Sequence, residues 1–226
     1  MPKFVHYLYL VPLCLSATIS LKAFRNSWAK PYCLFSIFLV GTLCSELFAI
    51  SWKLGLNETG YWSFSKSNLW IYNLYIVPQY LFYFLFFCMV LDQKPTQRTQ
   101  LLLSGVYLLL ALLNMVLIQG MNQLNTYTII LGGVAVVTCA SRYFIQEFNR
   151  KLPVSVQWHP LFWISLGAIV FHSVSIPYFI FINYLSKTNL PMAIALFNIL
   201  LMMNILMYSL YLIAYLCNNP SPKQPH

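Results

Sequence analysis

The feature that most constrains this chain is the recurrence of long apolar runs. Seven occur, at 4–21, 31–52, 69–91, 100–118, 125–144, 160–184 and 190–216. A helix rises 1.5 Å per residue, so about 20 apolar residues match a hydrocarbon core roughly 30 Å thick. The runs are continuous rather than alternating, and an open sheet in lipid would leave edge backbone groups unsatisfied. The expected fold is therefore all-α: a polytopic membrane protein, a seven-transmembrane-helix bundle forming a single transmembrane helical domain over residues 1–226.

Composition agrees. Hydrophobic residues make up 60% and charged residues 8%, against about a quarter charged in a soluble domain, so the chain could not cover a water-facing surface. Pro31, Pro160 and Pro191 stand where the second, sixth and seventh runs begin, a position that suits proline because its missing N–H has no intrahelical acceptor there. The six tryptophans, Trp28, Trp52, Trp62, Trp70, Trp158 and Trp163, fall at or near the run ends, as an interfacial aromatic belt requires.

The net charge of +9 would suit a nucleic-acid binder in a soluble protein. Here the basic residues lie in short connections and form no stripe along a helix, so nucleic acid is not expected as a partner. They read as topology signals. One side collects nine, Lys22, Arg25, Lys30, Lys94, Arg98, Arg142, Arg150, Lys151 and Lys223, and the other collects four, Lys3, Lys53, Lys66 and Lys187. The positive-inside rule then gives N-terminus out and C-terminus in; Lys3 weighs against it. The six cysteines form no C-x-x-C pair and mostly sit inside apolar runs, as small buried hydrophobes do. The first run has a basic start like a signal peptide, but it is long for one and no A-x-A site follows, so an uncleaved helix is expected.

Polar groups inside the runs are the candidate functional residues. Glu46 lies in "GTLCSELFAIS", about two turns below the outer surface, beside Thr42 and Ser45. Asn73 and Gln79 lie in the third run, His172 in the sixth, and Asn198 in the seventh, followed by Asn204 with Tyr208, Tyr211 and Tyr215. Ser165, Ala168, His172 and Ser175 recur along one narrow helical face. Glu46, Asn73, Gln79, His172 and Asn198 form the expected ligand-binding set, in an outward-facing polar cavity; Pro78 and Pro177 would free backbone carbonyls in the same outer halves. Two other accounts of Glu46 stand beside this one: a structural pin, hydrogen-bonded to a neighbouring helix, or a misplaced boundary. The Trp52 belt and Lys53 beyond it weaken the last.

Several known chemistries are missing. The last run has no lysine for a retinal Schiff base. "LDQK" follows the third run where rhodopsin-like receptors carry Asp-Arg-Tyr, and Asn-Pro-x-x-Tyr does not occur in the last run. There is no H-E-x-x-H and no G-x-S-x-G, and no aspartate lies within a run. No cofactor, metal or catalytic residue is expected. "VPQ" at Val77–Gln79 is shared with the Pro-Gln carriers of sugars and amino acids, but those repeat it in each half and this chain does not.

Taken together, Glu46 late in the second run, "LWIYNLYIVPQYLFYFLFF" with Tyr72, Asn73 and Tyr75, "HPLFWISLGAIVFHS" and "FNILLMMNILMYSLYLIAYL" resemble a family of uncharacterised seven-helix membrane proteins common in Bacteroidota. The resemblance covers most of the chain and implies a sensory or signalling component integral to a bacterial inner (plasma) membrane. Family members often carry more acidic loops. No connection between runs exceeds about 16 residues, so function is expected between the helices, in the loops, or in a cytoplasmic or membrane protein partner, with Arg142, Arg150 and Lys151 a candidate contact surface. The leading expectation is a sensor or signalling component that binds a small molecule or lipid. The alternative is a small proton-coupled transporter using Glu46, with His172 as a second group; an intramembrane lipid-modifying enzyme comes last.

Overall fold

The computed structural model describes residues 6–56, 65, 67–91, 97–121, 123–149 and 158–217. Among them there are helices and turns and no strand. The helices are α1 (Leu10–Ser20), α2 (Lys22–Arg25), α3 (Lys30–Leu54), α4 (Leu69–Val90), α5 (Gln97–Leu113), α6 (Thr126–Phe148), α7 (Pro160–Thr188) and α8 (Leu190–Leu216). Proline opens α3, α7 and α8 in the first turn. The Asn189 side chain caps α8 by accepting from the Met192 N–H at 3.2 Å. The helix begun by α5 ends in one π turn over Asn114–Ile118, closed by Gln119 N–H donating to the Asn114 carbonyl at 2.8 Å, and Gly120 leaves it with φ 71°.

Six helices are long and apolar enough to cross a membrane: α3, α4, α5 with its π turn, α6, α7 and α8. Each lies on an expected run. The first run is different. Its helix α1 has 11 residues, about 17 Å at 1.5 Å per residue, which is short of a bilayer core. The backbone at Leu21 stays helical while the α-helical ladder is interrupted: the Ser36 hydroxyl donates to the Ser20 carbonyl at 2.7 Å, and Phe24 N–H bonds to the Leu21 carbonyl at 3.2 Å. The seven-span expectation thus rests, at its first member, partly on residues 1–5, outside the described set.

The order of packing is α1 against α3 and α8, α8 against α7, α7 against α6, and α4 between α3 and α6. The helix α5 touches chiefly α4 and leaves Leu101, Leu103, Val106 and Leu109 facing outward, as a lipid-facing helix would. Between α3, α4 and α8 the core is aromatic. Phe38 stacks on Phe82 at 4.4 Å, Phe35 meets Tyr211 edge-on at 5.1 Å, and the Tyr83 and Tyr211 hydroxyls share a hydrogen bond of 2.8 Å. Such ring pairs contribute about 0.5–1.5 kcal/mol each beyond burial. Glycine allows two close approaches. The Tyr80 ring lies against Gly132 of α6, where any Cβ would strike it, and at Gly167 of α7 a Cβ would sit 2.9 Å from Tyr211 Cε1.

The two ends of the bundle differ in charge. One end holds Lys22, Arg25, Lys30, Arg98 and Arg142 with Glu147; the other holds Lys53 and Lys187. Lys3, Lys66, Lys94, Arg150, Lys151 and Lys223 lie outside the described residues.

Candidate functional site

Glu46 sits on α3 eight residues before its end, about two turns or 12 Å. Its carboxyl meets two other helices at once. Tyr9, beside the start of α1, donates to Oε2 at 2.8 Å, and Tyr72, in the first turn of α4, donates to the same oxygen at 3.1 Å. One helical turn deeper the Thr42 hydroxyl donates to the Phe38 carbonyl at 2.8 Å, so its bond with Tyr75 of α4 has the tyrosine as donor. Nearer the end of the bundle Trp52 meets Trp70 edge-on at 5.0 Å, and the Trp52 indole N–H donates to the Ser65 carbonyl at 3.0 Å. Glu46 as a residue is half-buried. Its second oxygen, Oε1, has no hydrogen-bond partner among the described residues and is not among the buried polar atoms that lack one. The arrangement is a carboxyl anchored by one oxygen and open at the other.

Asn73 follows Tyr72 in α4 but points about 100° away from it around the helix. It is 1% exposed, and its amide is used by backbone: Nδ2 donates to the Gln123 carbonyl at 2.9 Å and more weakly to Met121, while Oδ1 accepts from Asn125 N–H at 3.0 Å. Asn73 therefore clamps the connection between α5 and α6. Beside it Asn114, Gln119, Thr126, Thr128 and Asn183 form a neutral network: Asn114 Nδ2 donates to Gln119 Oε1 and Thr128 Oγ1, each at 3.0 Å, and Gln119 Nε2 donates to Thr126 Oγ1 at 2.8 Å. Asn183 of α7 joins through Thr126 at 3.3 Å. These bonds tie the side chains at the two ends of the π turn, Asn114 and Gln119, to the first turn of α6.

His172 is 1% exposed, and both ring nitrogens lack a hydrogen-bond partner. It packs on Tyr80 and Tyr83 of α4, with ring centroids at 5.5 and 5.6 Å, and faces Gly133 of α6. The whole face Ser165, Ala168, His172 and Ser175 is buried. Among the described residues His172 and Glu46 share no hydrogen-bond or ring partner. Gln79, Asn198 and Asn204 are half-buried, with no side-chain bond among the described residues. Pro78 and Pro177 are exposed, so both rings point away from the packed interior. Neither of two surface grooves, of about 370 and 270 Å³, includes a residue of the expected set. Among the described residues no group of three His, Cys, Asp or Glu could hold a metal ion.

The residues that hold Glu46 are tyrosines that hydropathy treats as ordinary aromatics. The available signal was chemical. A phenol in lipid needs an acceptor, and Glu46 is the one carboxylate inside the seven runs. The α5–α6 network was equally silent, since Asn114 and Thr128 lie in runs read as apolar. No protein-family model, curated protein or solved structure matches the chain.

Proposed function

We propose that the protein is a seven-span integral membrane protein of a bacterial inner membrane, oriented N-terminus out and C-terminus in. It acts as a sensor or signalling component whose ligand engages Glu46. The observation that carries this reading is the split carboxyl: Oε2 tied to α1 and α4 through Tyr9 and Tyr72, Oε1 open. An open carboxyl oxygen takes a hydrogen-bond donor, so the ligand class is a small molecule or lipid bearing an ammonium or hydroxyl group. Three helices meet at one oxygen, so a ligand that draws Glu46 away changes how α1 sits on α3. Helix α1 leads directly into the basic end through α2, where a partner protein would read the change. Ionisable groups at membrane depth are costly, and their retention points to use. The five-to-two division of described basic residues supports the orientation.

The packed interior favours sensing over transport. Phe35, Tyr83, Phe86 and Tyr211 are almost wholly buried between Glu46 and the basic end, and His172 stands apart from Glu46. Two measurements test the reading in proteoliposomes and nanodiscs. Small ammonium and polyol compounds should raise the melting temperature of the wild type and not of Glu46→Gln, with no proton flux in either. Substrate-dependent proton flux abolished by Glu46→Gln would replace sensing with proton-coupled transport.

A further inference from the structure

The end of the bundle opposite Glu46 carries a second feature. A groove of about 370 Å³ lies between the start of α7 and the end of α8, lined by Trp158, Trp163, Ile213, Leu216 and Cys217. Trp158 and Leu216 are strongly exposed, and this is the level at which tryptophan marks the membrane interface. A cation adjoins the groove. The Lys22 amine lies 5.4 Å from the centre of the Trp28 ring, and Trp28 stacks at 5.6 Å on Tyr215, which shares the last turn of α8 with the groove residues Ile213 and Leu216. No carboxylate pairs with Lys22 among the described residues, and Arg25 follows it one turn on. Partial burial pulls the Lys22 amine below the ordinary lysine value, a penalty that an apposed anion relieves.

We infer that this groove is a binding site for an anionic phospholipid, its phosphodiester headgroup on Lys22 and an acyl chain between Trp163, Ile213 and Leu216. Charge complementarity selects the occupant: a zwitterionic lipid fills the apolar part equally well but gains less from the unpaired amine. Basic pockets between helix ends on the cytoplasmic side are suited to anionic headgroups. The site is separate from Glu46 and does not depend on what binds there. The inference rests on the chain sitting in a bilayer in the orientation proposed above.

The test is native mass spectrometry of the full chain in detergent, with phosphatidylglycerol and phosphatidylcholine of identical acyl chains added in equal amounts. The wild type should retain phosphatidylglycerol preferentially. Lys22→Gln should lower that preference about fivefold, the worth of one interfacial cation, while Lys22→Arg keeps it. Lys53→Gln, at the other end, should leave it unchanged. Trp163→Leu should reduce retention of both lipids. An unchanged preference in Lys22→Gln, or an equal loss in Lys53→Gln, would overturn the inference, the second by showing a response to net charge alone. Gel-filtration profiles matching the wild type confirm that each variant is folded.

Discussion

Glu46 of α3 accepts a hydrogen bond from Tyr72 of α4 at 3.1 Å, on the same oxygen that takes the Tyr9 hydroxyl at 2.8 Å. A carboxyl at this depth therefore has a structural duty whatever else it does. Substitution separates the two. Glu46→Gln keeps a carbonyl acceptor for both phenols and should leave thermal stability in detergent nearly unchanged. Glu46→Leu strands two phenols and should cost about 1–3 kcal/mol. Equal stability of the Gln and Leu variants would remove hydrogen bonding from the role of Glu46.

Removing the phenols one at a time should cost less. Tyr9→Phe and Tyr72→Phe each lose a single bond at membrane depth, about 1 kcal/mol or slightly less. Because both donate to Oε2, a double-mutant cycle should show coupling between them. Strict additivity in the cycle would mean that they do not share the oxygen.

Gly132 and Gly133 are neighbours in α6 with different constraints. A Cβ at Gly132 would collide with the Tyr80 ring, whereas one at Gly133 meets Ile176 at 3.4 Å and His172 Nδ1 at 3.6 Å, ordinary contacts. Gly132→Ala should destabilise by about 1–3 kcal/mol through overpacking, and Gly133→Ala by a few tenths or not at all, since alanine is also the better helix former. A reversed order in detergent melts would contradict the placement of Tyr80.

Asn73 and His172 are both buried polar groups, with opposite bonding. Asn73→Leu strips the partners of the Gln123 carbonyl and the Asn125 N–H, and should cost about 1–3 kcal/mol and speed amide exchange around residues 121–125. His172→Phe removes two nitrogens that have no partner, so it should be neutral or stabilising. A large loss in His172→Phe would reveal a bound group that the imidazole holds.

How much of this was legible in the sequence depends on the physics of each part. The long runs were readable because lipid imposes a length and a composition on any helix that crosses it, and six of the seven carry helices long enough to cross. The first carries the shorter α1 within its expected bounds and begins outside the described residues, so its extent stays an expectation. The candidate residues were visible one by one, but their grouping was not. A 100° step around α4 sends Tyr72 to Glu46 and Asn73 to the α5–α6 connection, and one sequence does not say which helix stands on each side. Pro78 and Pro177 lie inside α4 and α7 at the expected heights, and both are exposed.

The central claim is that Glu46 presents an open oxygen while its other oxygen is held. Carbodiimide labelling followed by site-resolved mass spectrometry tests this directly, using one water-soluble and one lipid-soluble reagent on the protein in nanodiscs. The account predicts an adduct on Glu46 with at least one reagent, persisting in Tyr9→Phe and Tyr72→Phe. An unlabelled Glu46 with both reagents, in protein whose exposed carboxylates react, would contradict it and leave Glu46 a closed pin between helices.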